Sequence, residues 1–304
     1  MTERKEEVPV VPTDGVQSSV PTEKAGSTQV NEGSVSTASR ASTASTVSTA
    51  ATEPNARTVP TVPIFGIPFS RMNMKDTVAY LTETIQAGKP HQIITGNPIM
   101  VMAALNDPKY MEIMKSAELI VPDGTGVVWA AEYCGVPVAE RVAGFDLLHE
   151  LMRVGESYQW RVFLLGSTGE VIQETASRLQ EQYPGIVVCG YRDGFFGESE
   201  DPEVIEQIRA AEPHLLFVAR GADTQEPWIG KYKEQLGVPL MMGVGGSFDI
   251  ISGRSKRAPV VFQKLRAEWL YRLLKEPKRA KRMLALPQFV LKVKREKENV
   301  TKTV

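Results

Sequence analysis

Four short stretches carry side chains able to do chemistry, and each follows an apolar run. They are Thr95-Gly96-Asn97, Pro122-Asp123-Gly124, the segment 221–226 (GADTQE), and Gly243-Val244-Gly245-Gly246. The residues before them, 91–95, 118–121, 214–219 and 238–242, have the length and apolar content of buried strands. Asp123 falls where a strand gives way to a helix, with Pro122 and Gly124 marking the turn. A carboxylate there can act as a base, hold a sugar or a metal, or cap the helix, and composition leaves these readings open. Parallel strands place all their carboxyl ends on one edge of a sheet, where ligands of open α/β folds bind. Thr95, Asn97, Asp123 and Gln225 are therefore expected around one cleft.

The elements needed to build that edge are legible along the chain. An ordered body is expected to begin near Val62 with the strand VPIFGI, followed by a helix that Asn73 caps. Strands at 91–95, 118–121, 161–165, 186–190 and 214–219 alternate with helical segments, the pattern of a parallel sheet covered on both faces. Ser167 and Glu170 fit a capping box for the helix running to about Gln182. The fold class expected is α/β: a Rossmann-like parallel sheet flanked by helices, with a basic helical appendage after Gly253. Residues 1–59, rich in Ser, Thr and Ala and lacking aromatics, are expected to be a disordered tail without a catalytic role. Residues 60–252 would form the catalytic domain and 253–304 the appendage.

Charge divides the same way. Residues 60–252 hold 14 basic and 25 acidic groups, whereas 253–304 hold 16 basic and 4 acidic. A basic end on an acidic body suits an anionic partner, either phosphates or a membrane surface. Within it Phe262, Leu265, Trp269 and Leu273 recur at helical spacing, as in an interfacial amphipathic helix, with breaks expected near Pro277 and Pro287. For the end of this segment, a surface role fits better than packing on the body. Two cysteines form no disulfide framework, and no apolar run is long enough to cross a bilayer. The location expected is cytoplasmic, peripheral at the inner face of the membrane.

Several chemistries find no support. GVGGSF has Phe248 where a dinucleotide fingerprint needs its third glycine, and no phosphate-binding P-loop sequence occurs. The histidines His91, His149 and His214 are far apart and no Asp-x-Asp is present, so no metal or other cofactor is expected. A departing diphosphate would then be met by arginines or helix N-termini. Aromatic platforms for nucleic acid are also lacking.

Taken together, T-G-N-P (95–98), P-D-G-T-G (122–126), R-V-A-G-F-D-L (141–147), Y-P-G (183–185), T-Q-E-P-W (224–228), G-V-G-G-S-F-D (243–249), R-A-P (257–259) and E-W-L-Y-R-L (268–273) form an ordered set. Over roughly 62–290 the chain resembles the WecG/TagA/CpsF glycosyltransferases, a group that includes the teichoic-acid N-acetylmannosaminyltransferases. The resemblance implies an inverting, metal-independent transfer of N-acetylmannosamine or a related sugar from a UDP donor. The implied acceptor is polyprenyl-diphosphate-linked N-acetylglucosamine, in cell-surface polymer synthesis. It also implies Asp123 as general base, with Thr95 positioning substrate. Asn97, Arg141 and Gln225 would line the donor pocket, with Gly243 and Gly245 in its glycine turn. Arg272, Arg279 and Arg282 of the appendage would meet the diphosphate. Implied partners are the UDP-sugar, the lipid-linked acceptor and an anionic membrane surface; the sequence leaves a homo-oligomer open. One departure stands out: Asp223-Thr224 replaces the family's usual Pro-Lys before Gln225-Glu226, which bears on donor preference. The competing reading is a non-catalytic sugar-nucleotide or lipid-binding module of the same fold.

Overall fold

A computed structural model describes residues 59–302 apart from 265–267 and 276–279. The expected tail therefore lies outside the described residues, except Val59, which packs against the core. The single expected strand at 62–67 is instead a hairpin. β1 (Thr61–Ile64) pairs antiparallel with β2 (Ile67–Ser70), and Phe65 and Gly66 between them have φ of 51° and 80°. Two positive φ values in a two-residue loop match the strand twist of a tight hairpin, which the apolar run VPIFGI conceals.

From there the chain alternates. Helix α1 (Met74–Ala87) leads to β3 (His91–Gly96), and α2 (Pro98–Asn106) with α3 (Pro108–Ser116) leads to β4 (Leu119–Pro122). Helices α4 (Thr125–Tyr133) and α5 (Gly144–Gly155) cross to β5 (Arg161–Gly166), then α6 (Gly169–Gln182) to β6 (Val187–Arg192). α7 (Asp201–Ala210), β7 (Leu215–Ala219), α8 (Ala222–Leu236), β8 (Leu240–Gly243) and α9 (Ser247–Ile251) complete the sheet. The sheet order is β1-β2-β4-β3-β8-β7-β5-β6, and every pairing after the hairpin is parallel.

Side chains alternate between the two faces with the period of a strand. Ile93, Val121, Leu164, Phe217 and Met242 pack with α1, α5, α6 and α9 on one face. On the other, Ile94 and Ile120 pack with α2, α3 and α4, while Phe163, Leu165, Leu216 and Met241 pack with α7 and α8. Local capping departs from expectation at one point. Thr168, not Ser167, caps α6 by accepting from the Val171 amide, and Ser167 sits at φ 58°.

The C-terminal segment forms α10 (Val260–Lys264), α11 (Glu268–Lys275), α12 (Ala280–Met283), α13 (Ala285–Arg295) and α14 (Lys297–Val300). The break expected near Pro287 falls at Leu284, between α12 and α13, and Pro287 lies in the first turn of α13, where its missing amide interrupts no bond. Nor is the end of the segment a free surface. Phe289, Val293 and Val300 are fully buried in the cluster formed by the hairpin, α2 and α4. The Phe65 amide donates to the Val300 carbonyl (2.7 Å), and the Phe65 and Phe289 rings meet edge to face. Phe289 and Val293 are four residues apart, one turn of the same helix face, while the basic residues of α13 point elsewhere. Cutting the chain near 253 would thus open the core, and Phe289→Ala is the cleaner probe. It should lower unfolding free energy by about 3–5 kcal/mol, read as a lower denaturant midpoint at unchanged slope.

Candidate active site

Asp123 follows β4 directly, and its amide donates to the carbonyls of Gly96 and Val121. Its side chain does not cap α4: that N-cap is Gly124, which has no side-chain cap bond. The carboxylate turns instead to the segment 141–144. Arg141 donates through Nε to the Asp123 carbonyl and through Nη2 to Asp123 Oδ1 (3.4 Å). The Val142 amide donates to the Pro122 carbonyl, and the Gly144 amide to Asp123 Oδ1 (3.2 Å). Gly144 opens α5, so the carboxylate also sits at the positive end of a helix dipole. The helix end comes this close because residue 144 is glycine: a Cβ there would lie 2.8 Å from Thr95 Cγ2.

Arg141 is shared. Its Nη1 reaches Glu268 Oε1 of α11 at 3.3 Å, so an acid from the C-terminal segment joins the cluster. Burial alone would lower the guanidinium pKa, but the carboxylates of Asp123 and Glu268 outweigh it and the pKa rises. The guanidinium therefore stays charged, and Asp123 is fixed by a permanent cation and a backbone donor.

Thr95, one residue from the end of β3, donates to the Gly243 carbonyl (3.4 Å), linking β3 to the end of β8. Asn97 is the N-cap of α2; its Oδ1 accepts from the Ile99 and Met100 amides. Gln225 is almost wholly buried, accepting from the Gly245 amide (3.2 Å) and donating to Glu226 Oε1 (3.0 Å). Gly243 and Gly245 are required differently. A Cβ on Gly243 would meet Glu226 Oε1 at 2.2 Å, whereas Gly245 has φ 52°.

Two cavities meet at this cluster, and Thr95, Asn97 and Asp123 line both. One, of about 210 Å³, is bounded by Arg141, Phe145, Arg257, Glu268, Trp269 and Leu286. The other, of about 730 Å³, is bounded by Ser167, Phe195, Arg220, Gln225, Gly245 and Arg282. Of the residues expected from sequence, Thr95, Asn97, Asp123, Arg141, Gln225, Gly245 and Arg282 thus gather at one place, with Gly243 directly behind. Arg272 lies in α11, and Arg279 lies outside the described residues.

Arg220, Arg257 and Glu268 were not singled out beforehand. Arg220 directly follows β7 beside the Gly221 loop and stacks on Phe196 at 4.2 Å, so its place on the carboxyl edge was the available signal. Arg257 pairs with Asp146 (2.7 Å) and covers the Phe145 ring; Glu268 carried no signal except its motif. The three histidines serve structure or stand apart from the cleft: His214, for example, accepts from the Arg161 amide. No group of three or more potential metal ligands occurs among the described residues.

Comparison with known proteins bears directly on this cleft. Residues 62–303 match the Glycosyl transferase WecG/TagA/CpsF family. The chain belongs to this family. Its relatives include an N-acetylglucosaminyldiphosphoundecaprenol N-acetyl-beta-D-mannosaminyltransferase of Bacillus spizizenii, 38% identical over 77% of this chain and 90% of that protein. Proteins of the same name from Bacillus subtilis strain 168 and Staphylococcus aureus strain MW2 are each 36% identical. They cover 79% of this chain and 93% and 95% of their own lengths. Asp123 and its neighbours thus lie at the centre of the candidate cleft in a member of a glycosyltransferase family.

The close approach at residue 144 gives a test of how the cluster is held. Helix propensity alone predicts that Gly144→Ala stabilises the chain by about 1 kcal/mol. Contact with Thr95 predicts the opposite, a loss of about 1–3 kcal/mol in denaturant unfolding, with Asp123 displaced from its amide donor.

Proposed function

We propose that this glycosyltransferase transfers N-acetylmannosamine from a UDP donor to polyprenyl-diphosphate-linked N-acetylglucosamine, inverting the anomeric centre. The observation that carries this reading is the placement of Asp123, fixed by Arg141 and Gly144 where two cavities meet. The relatives' names state the sugar and the lipid-linked acceptor. The UDP donor is what the family resemblance implies, and it fits the relatives' names.

In this reading the acceptor hydroxyl lies beside Asp123, which takes its proton as the oxygen attacks the anomeric carbon. The bond from that carbon to the diphosphate oxygen breaks on the opposite side, and UDP leaves with the electron pair. Arg282, with Arg272 and Arg279 of the same segment, supplies the positive charge that stabilises the departing diphosphate. Thr95 and Asn97 hold the sugar at the junction, while Arg141 keeps the base oriented. Gln225, Gly243 and Gly245 shape the donor side.

The smaller cavity suits the lipid-linked acceptor, because the C-terminal segment supplies its apolar wall through Trp269 and Leu286. The same segment exposes Leu274, Leu284 and Leu291 among basic residues. That combination supports docking on an anionic membrane face, and in this reading the chain is peripheral at the cytoplasmic side. No helix among the described residues is long and apolar enough to cross a membrane.

The deciding experiment supplies UDP-sugars and a polyprenyl-diphosphate acceptor and measures UDP release. N-acetylmannosamine should be the preferred donor sugar. Asp123→Asn keeps an oxygen for Arg141 but removes the base, and should slow release by about 10²- to 10⁴-fold with UDP affinity retained. Absence of release from every donor would favour the non-catalytic binding module. A near-normal rate in the variant would remove Asp123 from the chemistry.

A further inference from the structure

Behind the larger cavity lies a buried acid that the proposed reaction does not use. Glu226, in α8, is completely inaccessible, and its neighbours Gln92 (1% exposed) and Gln225 (4%) are nearly so. Each carboxylate oxygen accepts from one amide: Oε1 from Gln225 Nε2 and Oε2 from Gln92 Nε2, both at 3.0 Å. Gln92 Nε2 also donates to the Glu226 carbonyl (3.1 Å). The other end of the Gln225 amide accepts from the Gly245 N–H, in the glycine loop that lines the cavity. Gly243 leaves room for this arrangement, since a Cβ there would collide with both Glu226 Oε1 and Gln225 Nε2.

We propose that Glu226 is a positioning residue that fixes the Gly243–Gly246 loop through Gln225, and that the loop's placement depends on whether Glu226 carries a proton. The proposal rests on the reading of the larger cavity as the donor side. Its logic is a count of donors and acceptors. An ionised carboxylate only accepts, which suits two facing NH₂ groups. A protonated one must donate from one oxygen, so one amide has to turn over. If Gln225 turns, its NH₂ faces the Gly245 N–H and the loop loses its anchor. If Gln92 turns, the Glu226 carbonyl loses its donor.

The surroundings put this choice in the neutral range. Burial pushes Glu226 up to about 7, although the hydrogen bonds from Gln225 and Gln92 act the other way. Around it, Tyr110 of α3 has its own pKa raised, by burial first and then by Glu226 and Asp223, with Arg282 opposing. Past Gln92, whose backbone amide donates to Glu118 (2.7 Å), lies the Glu118–Lys233 pair. A raised carboxyl pKa means that the folded chain binds more protons than the unfolded chain between about pH 4.5 and 7. Stability then falls as pH rises through that window. Donor binding should move the opposite way, improving as Glu226 ionises.

The test measures UDP affinity, donor KM and melting temperature of the full chain on both sides of pH 7. The wild type should show donor KM rising about tenfold below pH 7, the loss of the one hydrogen bond from Gly245 to Gln225, with kcat changing less. Glu226→Gln offers one donor and one acceptor, and should keep the high KM at every pH with a flat stability profile. Gln92→Leu, remote from the cleft, removes one hydrogen bond to the carboxylate and should move the KM midpoint to higher pH. Wild-type KM and pH profile in a folded Glu226→Gln chain would overturn the proposal, as would an unmoved midpoint in Gln92→Leu. A wild type that binds UDP without releasing it from any donor sinks the transfer reading alone, because pH-dependent UDP affinity still judges Glu226.

Discussion

β3 is hydrogen-bonded on both sides by parallel strands, β4 at one edge and β8 at the other, and the site depends on that pairing. Register sets Thr95 opposite Val121, so that the residues following β4 bring Asp123 alongside β3. Pairing with β8 brings the Gly243 carbonyl to the Thr95 hydroxyl. Strands distant in the chain thus deliver an alcohol, a carboxylate and a glycine turn to one small volume. A slip of a single residue in either pairing would turn Thr95 to the opposite face and bury polar atoms among Ile93 and Ile94. Such a slip would also break the buried bonds of Gln92 to Glu226, so the site borrows its precision from the core.

Charge is arranged as a relay of fixed contacts. Asp123 is held by Arg141, Arg141 is held by Glu268, and Glu268 belongs to α11. A carboxylate with a cation and a helix N-terminus as neighbours has a defined direction, which a base must have if the proton it removes is to lie in line. Because Glu268 comes from the C-terminal segment, seating of that segment and orientation of the Asp123 carboxylate are physically joined. Phe145, Trp269 and Leu286 around the same group limit its access to water.

Much of the sheet and its cleft could be read from residues alone because strand period and turn chemistry are local signals. Thr95, Asn97, Asp123 and Gln225 follow apolar runs and were placed by that fact. What escaped required three dimensions. The hairpin at Phe65-Gly66 was hidden because both flanking strands and the turn are apolar, without the Asn-Gly or Asp-Gly that marks such turns. A proline ordinarily marks a helix's first turn, yet α8 begins at Ala222, leaving Pro227 in the second turn with no amide for the Asp223 carbonyl. The burial of Phe289 and Val293 was masked by the many lysines and arginines that share their helix. Glu268 and Glu226 gave no signal beyond their motifs, since a carboxylate's partners are set by tertiary distance rather than by spacing.

The bond between the Phe65 amide and the Val300 carbonyl joins the first turn of the sheet to nearly the last residue described. During synthesis the hairpin emerges well before the segment that covers Phe65, Val62 and Ile64. Until then one flank of the nascent sheet shows apolar side chains to the solvent or to whatever shelters it. The wall of the smaller cavity, made from the same late segment, is missing for as long. Order of translation thereby keeps the cleft open on one side until that segment has been made.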